Sequence, residues 1–352
     1  MTENGGETRV ALSLCGQVDP FRIDSYLERG GYAALRRAVC ERSPTDIVAE
    51  IERAGLRGRG GAGFPTAAKW QAVAAAEADV KYAVANAYDA DPAAPIGQTL
   101  LEQNPHRILE GLVLAAYAVG ASEGFIYVGA GKSRAWESLR TAIGQAYADG
   151  LLGARIAGSR FSFEVRPVRS WGGFVGGEET AALAAIEGRR AMPEQKPPYP
   201  AIHGLLGKPT LVNSAETLVN VPWILEQGAE AFGELGTERA RGTKVVSLSG
   251  RVRHRGMVEV EMGATLRTLV GVLGGGEPEG PSLKAILVGG PTGGFLPESL
   301  WNTPLEYEAL TEAGAVMGSG SIVAIDRGSC MVDLARSSLS YLAGEACGKC
   351  VP

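Results

Sequence analysis

The stretch Gly55-Leu56-Arg57-Gly58-Arg59-Gly60-Gly61-Ala62-Gly63-Phe64-Pro65 leaves a length of backbone with almost no side-chain cover. Glycine adopts positive φ without steric cost, so this loop can turn sharply and bring several N–H groups against an anion. Pro65 stands where a helix can begin, and residues 66–76 are rich in helix-forming alanine. A glycine loop that leads into a helix N-terminus is typical of a phosphate cradle. The stretch therefore predicts either such a cradle or a flexible surface turn.

The spacing Gly58-x-Gly60-x-x-Gly63 is that of a dinucleotide-binding fingerprint, which normally follows a β-strand. Here residues 43–54 have the pattern of a capped helix instead. The spacing alone therefore does not assign a nucleotide.

Helices and strands alternate along the first two thirds of the chain, which predicts an α/β fold with a mostly parallel sheet. A polar residue at the carboxyl end of such a strand, as Asn86 is expected to be, stands where these folds place ligand contacts. From about residue 236 the pattern changes to that of a small mixed domain. The predicted strands are 9–14, 81–87, 125–128, 161–168, 243–250, 256–261, 285–288 and 321–325, and the predicted helices are two within 22–40, then 43–54, 65–77, 106–120, 132–147, 181–187, one capped by Asn213 or Ser214, 264–273 and 331–342.

The composition is that of a soluble globular protein, with 352 residues, 45% hydrophobic residues and a net charge of −5. A negative chain has no general affinity for nucleic acid or anionic membranes. The longest apolar run, 112–121, is too short to cross a bilayer, and the polar N-terminus does not resemble a signal peptide. We therefore expect a cytoplasmic protein without nucleic-acid partners or membrane insertion.

Two further segments carry groups that a ligand could use. Glu178 and Glu179 follow a glycine-rich turn at the start of a helix, where they either favour the helix dipole or accept hydrogen bonds from a ligand. The segment Lys196-Pro197-Pro198-Tyr199-Pro200 is either an ordinary connector or a stiff element that fixes Lys196 and Tyr199 against a ligand.

Taken together, these motifs resemble one family, the FMN- and NADH-binding flavoprotein subunit of complex I and the related diaphorase subunits of NAD-linked hydrogenases and formate dehydrogenases. The likeness rests on five motifs in the family's order: residues 55–70, Gly177-Glu178-Glu179-Thr180, Glu187-Gly188-Arg189-Arg190, residues 196–201 and residues 207–217. It implies an N-terminal helical segment (1–42), a Rossmann-like FMN/NADH domain (43–235), a ubiquitin-like β-grasp domain (236–325) and the start of a helical iron–sulfur domain (326–352).

The resemblance also implies the chemistry and the residues that serve it. FMN would take hydride from NADH and pass single electrons to iron–sulfur subunits of a hetero-oligomeric complex. The residues expected at FMN are Gly58, Arg59, Gly60, Gly61, Lys69, Asn86, Gly177, Glu178, Asn213, Ser214 and Thr217, and those expected at the NADH substrate are Phe64, Asp91, Glu179, Lys196 and Tyr199.

Several positions depart from the family pattern, mostly on the nicotinamide side. Tyr88 replaces an acid that would touch the flavin, and Asp91 replaces a longer glutamate. Ala72 stands where an aromatic often helps to hold NADH, Ser214 replaces a second asparagine, and Gly176 replaces a cysteine.

The last residues begin a cluster motif of the form C-x-x-C-x-x-C. Cys347 and Cys350 supply its first two cysteines, whereas a [4Fe–4S] cluster needs four thiolates. We therefore expect a cluster only if the chain continues past residue 352. Cys330 is expected to be a buried core residue.

Three functions follow as hypotheses. The chain is an FMN-dependent NADH dehydrogenase subunit, or an FMN electron-transfer subunit with a lost or altered NADH site, or a non-catalytic assembly subunit. Flavin absorbance separates the third hypothesis from the others, and bleaching by NADH separates the first from the second.

Overall fold

Four parallel strands form the sheet on which the site is built. The computed structural model describes residues 9–276 and 282–350. The strands lie in the order β3-β2-β1-β4 and all three pairings are parallel, as predicted. Their bounds are β1 Tyr82–Ala87, β2 Glu123–Gly129, β3 Glu164–Ser170 and β4 Thr210–Ser214.

Helices cover this sheet and carry the chain between its strands. The helix before the glycine loop is capped as its sequence predicts, because Ser43 and Asp46 exchange side-chain and backbone hydrogen bonds and Pro44 starts the helix. The helices up to residue 233 are α1 Ile23–Leu27, α2 Ala33–Glu41, α3 Pro44–Ala54, α4 Thr66–Ala75, α5 Ile96–Gln103, α6 Pro105–Val119, α7 Ser133–Ala148, α8 Glu179–Ile186, α9 Ala215–Gln227 and α10 Ala229–Gly233.

One prediction for this part of the chain is wrong, and one strand was not predicted. Residues 11–17 form turns, because the backbone N–H groups of Ala11 and Leu12 donate to the Glu259 carboxylate rather than to a neighbouring strand. Residues 210–214 form the buried strand β4, which the sequence pattern does not predict. No turn separates β4 from α9, since the last strand residue, Ser214, is itself the helix cap.

A second, mixed sheet follows in the order β6-β5-β9-β7-β8, in which β5 and β9 are parallel and the other pairs antiparallel. This is the strand arrangement of a ubiquitin-like β-grasp fold. Strand β8 was not predicted. The bounds are β5 Thr243–Gly250, β6 Gly256–Glu261, β7 Leu283–Val288, β8 Gly294–Pro297, β9 Ser321–Asp326, α11 Leu266–Thr268 with a π-helical turn Leu269–Leu273, α12 Tyr307–Glu312 and α13 Met331–Gly344.

Buried polar contacts join the two sheets near the glycine loop. The Lys244 ammonium on β5 lies 2.6 Å from the Glu216 carboxylate at the start of α9, and both side chains are buried. The other oxygen of Glu216 accepts the Val245 N–H. Buried charges are retained where they are paired and hydrogen-bonded, so this pair fixes β5 against the end of β4. The domain boundaries given above remain predictions.

Candidate functional site

A cavity of about 830 Å³ opens at the carboxyl ends of β1 and β4. This is the end of a parallel sheet at which α/β folds bind ligands, and the volume lies in the range of small-molecule sites. The glycine loop, the start of α4, the start of α8 and the segment around Tyr199 complete its walls. The predicted residues that line it are Gly58, Gly60, Phe64, Lys69, Asn86, Gly177, Glu178, Glu179, Lys196, Tyr199, Asn213, Ser214 and Thr217.

The glycine loop is held in shape by the second sheet domain. The Tyr307 hydroxyl donates to the Gly58 carbonyl oxygen at 2.9 Å. Gly63 has φ +63°, and a Cβ there would lie 2.6 Å from the Tyr307 ring. The Arg57 guanidinium sits 4.5 Å from the centre of the same ring and pairs with Glu308. Sequence reasoning missed Arg57 and Tyr307, because a contact across about 250 residues leaves no local pattern.

Arg59 points away from the main cavity. Its guanidinium is buried and donates to the carbonyl oxygens of Arg241, at 2.6 Å, and Thr243, at 2.7 Å. Its backbone N–H donates to the Thr217 hydroxyl at 2.9 Å. The side chain therefore stabilises the loop against the second sheet and borders a smaller adjoining cavity of about 380 Å³. Gly61 packs against Gly318 and lines neither cavity.

Two lysines neutralise the adjacent glutamates in the wall. The Lys69 ammonium lies 3.0 Å from Glu179, and the Lys196 ammonium bridges Glu178 at 2.9 Å and Glu179 at 3.1 Å. Burial opposes ionisation of Glu179, but the Lys69 charge and the hydrogen bonds from both lysines outweigh it and hold the pKa of that carboxyl below its ordinary value. Both acids are thus ionised and paired near neutral pH.

Glu178 has a second role that its sequence position indicated. Its carboxylate caps α8 by accepting the N–H groups of Thr180, at 2.8 Å, and Ala181, at 3.0 Å. Burial raises the pKa of Glu178, but the hydrogen bonds from Thr180 and Lys196 outweigh it, so the pKa of Glu178 is lowered. Helix capping and a position in the cavity wall therefore coexist in this residue.

Strand-end side chains form the floor of the cavity. Asn86 donates to the Gly177 carbonyl oxygen at 2.9 Å and so ties β1 to the second glycine turn. The Asn213 amide oxygen accepts the indole N–H of Trp70 at 2.9 Å, so Asn213 is a strand residue held in place rather than a cap. Trp70 is a further residue that sequence reasoning missed.

The outer part of the cavity is open and aromatic. Phe64 and Tyr199 expose 54% and 58% of their surface. Ala72 lines the same region with a methyl group only. Large exposed rings at the mouth of a cavity are suited to stack on a flat ligand.

Two residues of the altered stretch lie elsewhere. Asp91 borders the smaller cavity, where its carboxylate accepts the hydroxyls of Ser319, at 3.0 Å, and Ser321, at 2.6 Å. Tyr88 lines neither cavity; its ring stacks on Tyr127 behind the second glycine turn. Both side chains therefore lie outside the main cavity, and the contact of Asp91 with NADH stays a prediction.

Comparison with known proteins decides the family. The model of the Nuo51 FMN-binding domain matches residues 51–223. The chain is 42% identical over 346 residues to the NADP-reducing hydrogenase subunit HndC of Solidesulfovibrio fructosivorans, covering 98% of this chain and 70% of that one. The chain belongs to this flavoprotein family.

Other relatives agree with the assignment. The matching NADH-quinone oxidoreductase subunit of Escherichia coli K12 is 39% identical over 334 residues, which cover 95% of this chain and 75% of the relative. A crystal structure of an NAD⁺-reducing [NiFe]-hydrogenase in the air-oxidised state superposes with a TM-score of 0.81 at 29% identity. That match covers 98% of this chain and 56% of the hydrogenase chain, so the chain spans little more than half of that protein.

The cavity of this flavoprotein-family member has features that suit FMN. The Thr66 hydroxyl at the start of α4 is buried at the cavity wall and has no hydrogen-bond partner in the described part of the chain. A buried unpaired hydroxyl is costly unless a ligand satisfies it. The first turns of α4 and α9 both face the cavities, and helix N-termini favour phosphate. These donors are chemically matched to a phosphorylated, hydrogen-bonding cofactor.

The cysteines do not form a complete metal site. Cys347 is half-buried and Cys350 exposed, and within residues 9–276 and 282–350 no group of three or more His, Cys, Asp or Glu side chains could hold a metal ion. Two thiolates do not fit a [4Fe–4S] cluster. The prediction that Cys330 is buried is wrong: it is exposed at the N-cap of α13, a helix without buried residues.

No helix within the described residues is long and apolar enough to span a bilayer.

Proposed function

We propose that the chain is a cytoplasmic FMN-dependent NADH dehydrogenase subunit that passes electrons to iron–sulfur partner subunits. The observation that carries the proposal is a single cavity with two unlike ends. Its inner end is built from a glycine loop, helix N-termini and strand-end amides, and its outer end from exposed aromatic rings. Such a cavity suits a resident cofactor inside and an exchanging nucleotide outside.

Bound FMN would supply the redox chemistry, since it accepts two electrons from NADH and releases them one at a time. The residues placed to hold it are the bare backbone at Gly58 and Gly60 and the side chains of Asn86, Ser214 and Thr217. Five residues, Gly60, Asn86, Gly177, Glu178 and Ser214, border both cavities, so a long cofactor can extend from one into the other.

The outer residues would bind and orient the dinucleotide. Phe64 and Tyr199 offer two ring faces to its bases. Lys196, together with Lys69 from the inner wall, offsets the charges of Glu178 and Glu179, which would otherwise repel an anionic substrate. The Glu179 carboxylate can also accept a hydrogen bond from the ribose 2′-hydroxyl of NAD, which NADP replaces with a phosphate, and this favours NAD.

The test is reconstitution with FMN followed by anaerobic titration. We expect the purified chain to retain one FMN, and the yellow flavin band to bleach on stoichiometric NADH and more slowly on NADPH. A chain that retains no flavin after reconstitution would contradict the proposal and favour the non-catalytic alternative.

One observation favours the second hypothesis, an FMN subunit without NADH oxidation. Asp91, expected beside nicotinamide, is bonded to Ser319 and Ser321 outside the main cavity, and Ala72 offers no aromatic face. A flavin that bleaches on dithionite but not on excess NADH is the outcome expected from this second function.

A further inference from the structure

The peptide unit between Gly173 and Phe174 is held at both ends by side chains from distant parts of the chain. The Tyr88 hydroxyl donates to the Gly173 carbonyl oxygen at 3.2 Å. The Phe174 N–H donates to the Glu345 carboxylate at 2.8 Å. In a planar trans peptide the C=O and N–H point in opposite directions, so the two side chains grip the unit from opposite sides. The Gly173 carbonyl oxygen also accepts the Gly176 N–H at 2.8 Å, so a rotation of this unit would break both side-chain bonds together with the first bond of the following turn.

Glycines make room for both gripping side chains. A Cβ at Gly173 would lie 2.6 Å from the Glu345 carboxylate, and one at Gly176 would lie 3.0 Å from the Tyr88 ring carbon and hydroxyl. The Tyr88 ring is fixed by stacking on Tyr127, with centroids 5.2 Å apart and planes 13° apart. Burial raises the pKa of Tyr88 to about 12, so its hydroxyl remains a donor at neutral pH.

The gripped peptide begins a wall of the cofactor cavities. It leads into a 3₁₀ helix of one turn, Phe174–Gly177. The Gly177 carbonyl oxygen at the end of this turn accepts a hydrogen bond from the Asn86 side-chain amide at 2.9 Å. Gly177 and Glu178 line both cavities. One turn therefore joins the held peptide to the residues that line the cavities.

The two side chains that hold the peptide come from different parts of the chain. Tyr88 follows β1 in the FMN domain, at the position where the resembled family has an acid. Glu345 is the C-cap residue that follows α13 and stands two residues before Cys347. A second contact on the same side is made by Tyr341, whose ring meets that of Phe174 edge to face at 6.1 Å. The segment with the cysteines is therefore tied directly to the cavity wall.

We propose that Tyr88 and Glu345 are positioning residues that act together as one clamp on the Gly173–Phe174 peptide, and that the clamp holds the cavity wall in its FMN-binding form. The identity of the ligand rests on the proposed function, whereas the clamp itself does not. In this chain, Tyr88 would influence the flavin through the wall and not by contact.

The first test measures the clamp without any ligand. Hydrogen exchange of residues 172–177 is followed by mass spectrometry in the apo-chain. Tyr88→Phe and Glu345→Ala should each speed this exchange about fivefold, the size expected for loss of one hydrogen bond. Glu345→Gln keeps an acceptor oxygen and should stay close to the wild type.

A matched control removes a hydroxyl far from the clamp. Tyr117→Phe deletes a hydroxyl that donates to the Arg42 carbonyl oxygen at 2.6 Å, outside both cavities. It should leave the exchange of residues 172–177 unchanged. Unchanged exchange in Tyr88→Phe or in Glu345→Ala would overturn the clamp.

The second test is a double-mutant cycle on FMN dissociation, followed by flavin fluorescence. Each single change should weaken FMN binding about fivefold, and the double change should also weaken it about fivefold, because either loss frees the same peptide. Independent roles would instead multiply to about 25-fold and contradict the shared clamp. If the wild-type chain binds no FMN, the proposed function fails, and the exchange measurement still decides the clamp.

Discussion

The inner wall and the mouth of the main cavity are built in opposite ways. The inner wall is buried and held by bonds from other elements: the Gly58 carbonyl, the Asn213 amide and the Thr217 hydroxyl each accept a hydrogen bond from another element. The mouth exposes more than half of the surface of Phe64 and Tyr199. The Lys196 segment is joined to the wall through two ion pairs with Glu178 and Glu179.

This difference explains how one cavity can bind two ligands that differ in how long they stay bound. A braced wall loses little conformational entropy on binding and so suits a cofactor that stays bound. An open aromatic mouth can release its ligand, because stacking on exposed rings contributes only modest free energy. Changes to the inner wall should therefore affect FMN, and changes to the mouth should affect NADH.

The largest effect is expected at Gly63. In Gly63→Ala the new methyl would lie 2.6 Å from the Tyr307 ring, at a residue with φ +63°. Crowding and left-handed strain together should cost about 2–4 kcal/mol of unfolding free energy and abolish FMN retention. Denaturant unfolding and flavin absorbance per chain measure the two effects.

Gly120→Ala is the control for this change, because Gly120 has φ +74° with no atom within 4 Å of the added methyl. It should lose about 1–2 kcal/mol and keep its FMN. Equal FMN loss in both variants would mean that strain in general, and not the bracing by Tyr307, explains the result.

A second inner-wall change is Lys69→Met. It removes an ammonium that pairs with Glu179 and donates to the Val212 carbonyl oxygen at 3.1 Å. We expect FMN affinity to fall about tenfold, equivalent to about 1.4 kcal/mol. Fluorescence titration measures it, and Lys69→Arg, which keeps the charge, should recover most of the loss. If only the KM for NADH changed, Lys69 would be assigned to NADH binding at the mouth and not to FMN binding at the inner wall.

At the mouth, Tyr199→Ala should raise the KM for NADH about fivefold through lost stacking, with FMN affinity unchanged. Trp171→Ala is the matched control, since Trp171 is 87% exposed and lines neither cavity. Steady-state kinetics with an artificial acceptor separate the KM from kcat. Loss of FMN from Tyr199→Ala would contradict the assignment of FMN to the inner wall and of NADH to the mouth.

The smallest effect is the pH dependence of the stability that the lysine–glutamate ion pairs contribute between the two ends of the cavity. Burial opposes ionisation of Glu178 and Glu179, but their lysine partners and the capping bonds of Glu178 outweigh it and hold both pKa values below the ordinary 4.5. A carboxyl whose pKa is lowered by folding contributes stability above its unfolded pKa, and this contribution is lost as pH falls through the folded pKa. The stability difference between the wild type and Glu179→Gln should therefore shrink as the pH falls below the ordinary carboxyl pKa. Unfolding midpoints across that range measure it, and a constant difference would contradict the ion pairing.

Local patterns predicted much of the architecture. The Ser43 cap, the strand that carries Asn86 near its carboxyl end and the helix after Pro65 depend on neighbours in the chain, and each was found. Strand β4 was missed, because five residues that run directly into a helix cap carry no turn signal. Cys330 was misplaced for a related reason, since burial depends on what packs over α13 and not on the cysteine itself.

The candidate site divides in the same way. By its residue types alone, the sequence determined the glycine loop, the paired glutamates and the aromatic segment, and the resemblance that these motifs carry determined the family. Only the tertiary structure decided that Arg59 binds the loop to the second sheet, that Asp91 faces two serines and that Tyr88 and Glu345 meet at one peptide. These contacts join residues far apart in the chain, and a side chain's partner across such a distance is set by packing, which local sequence does not encode.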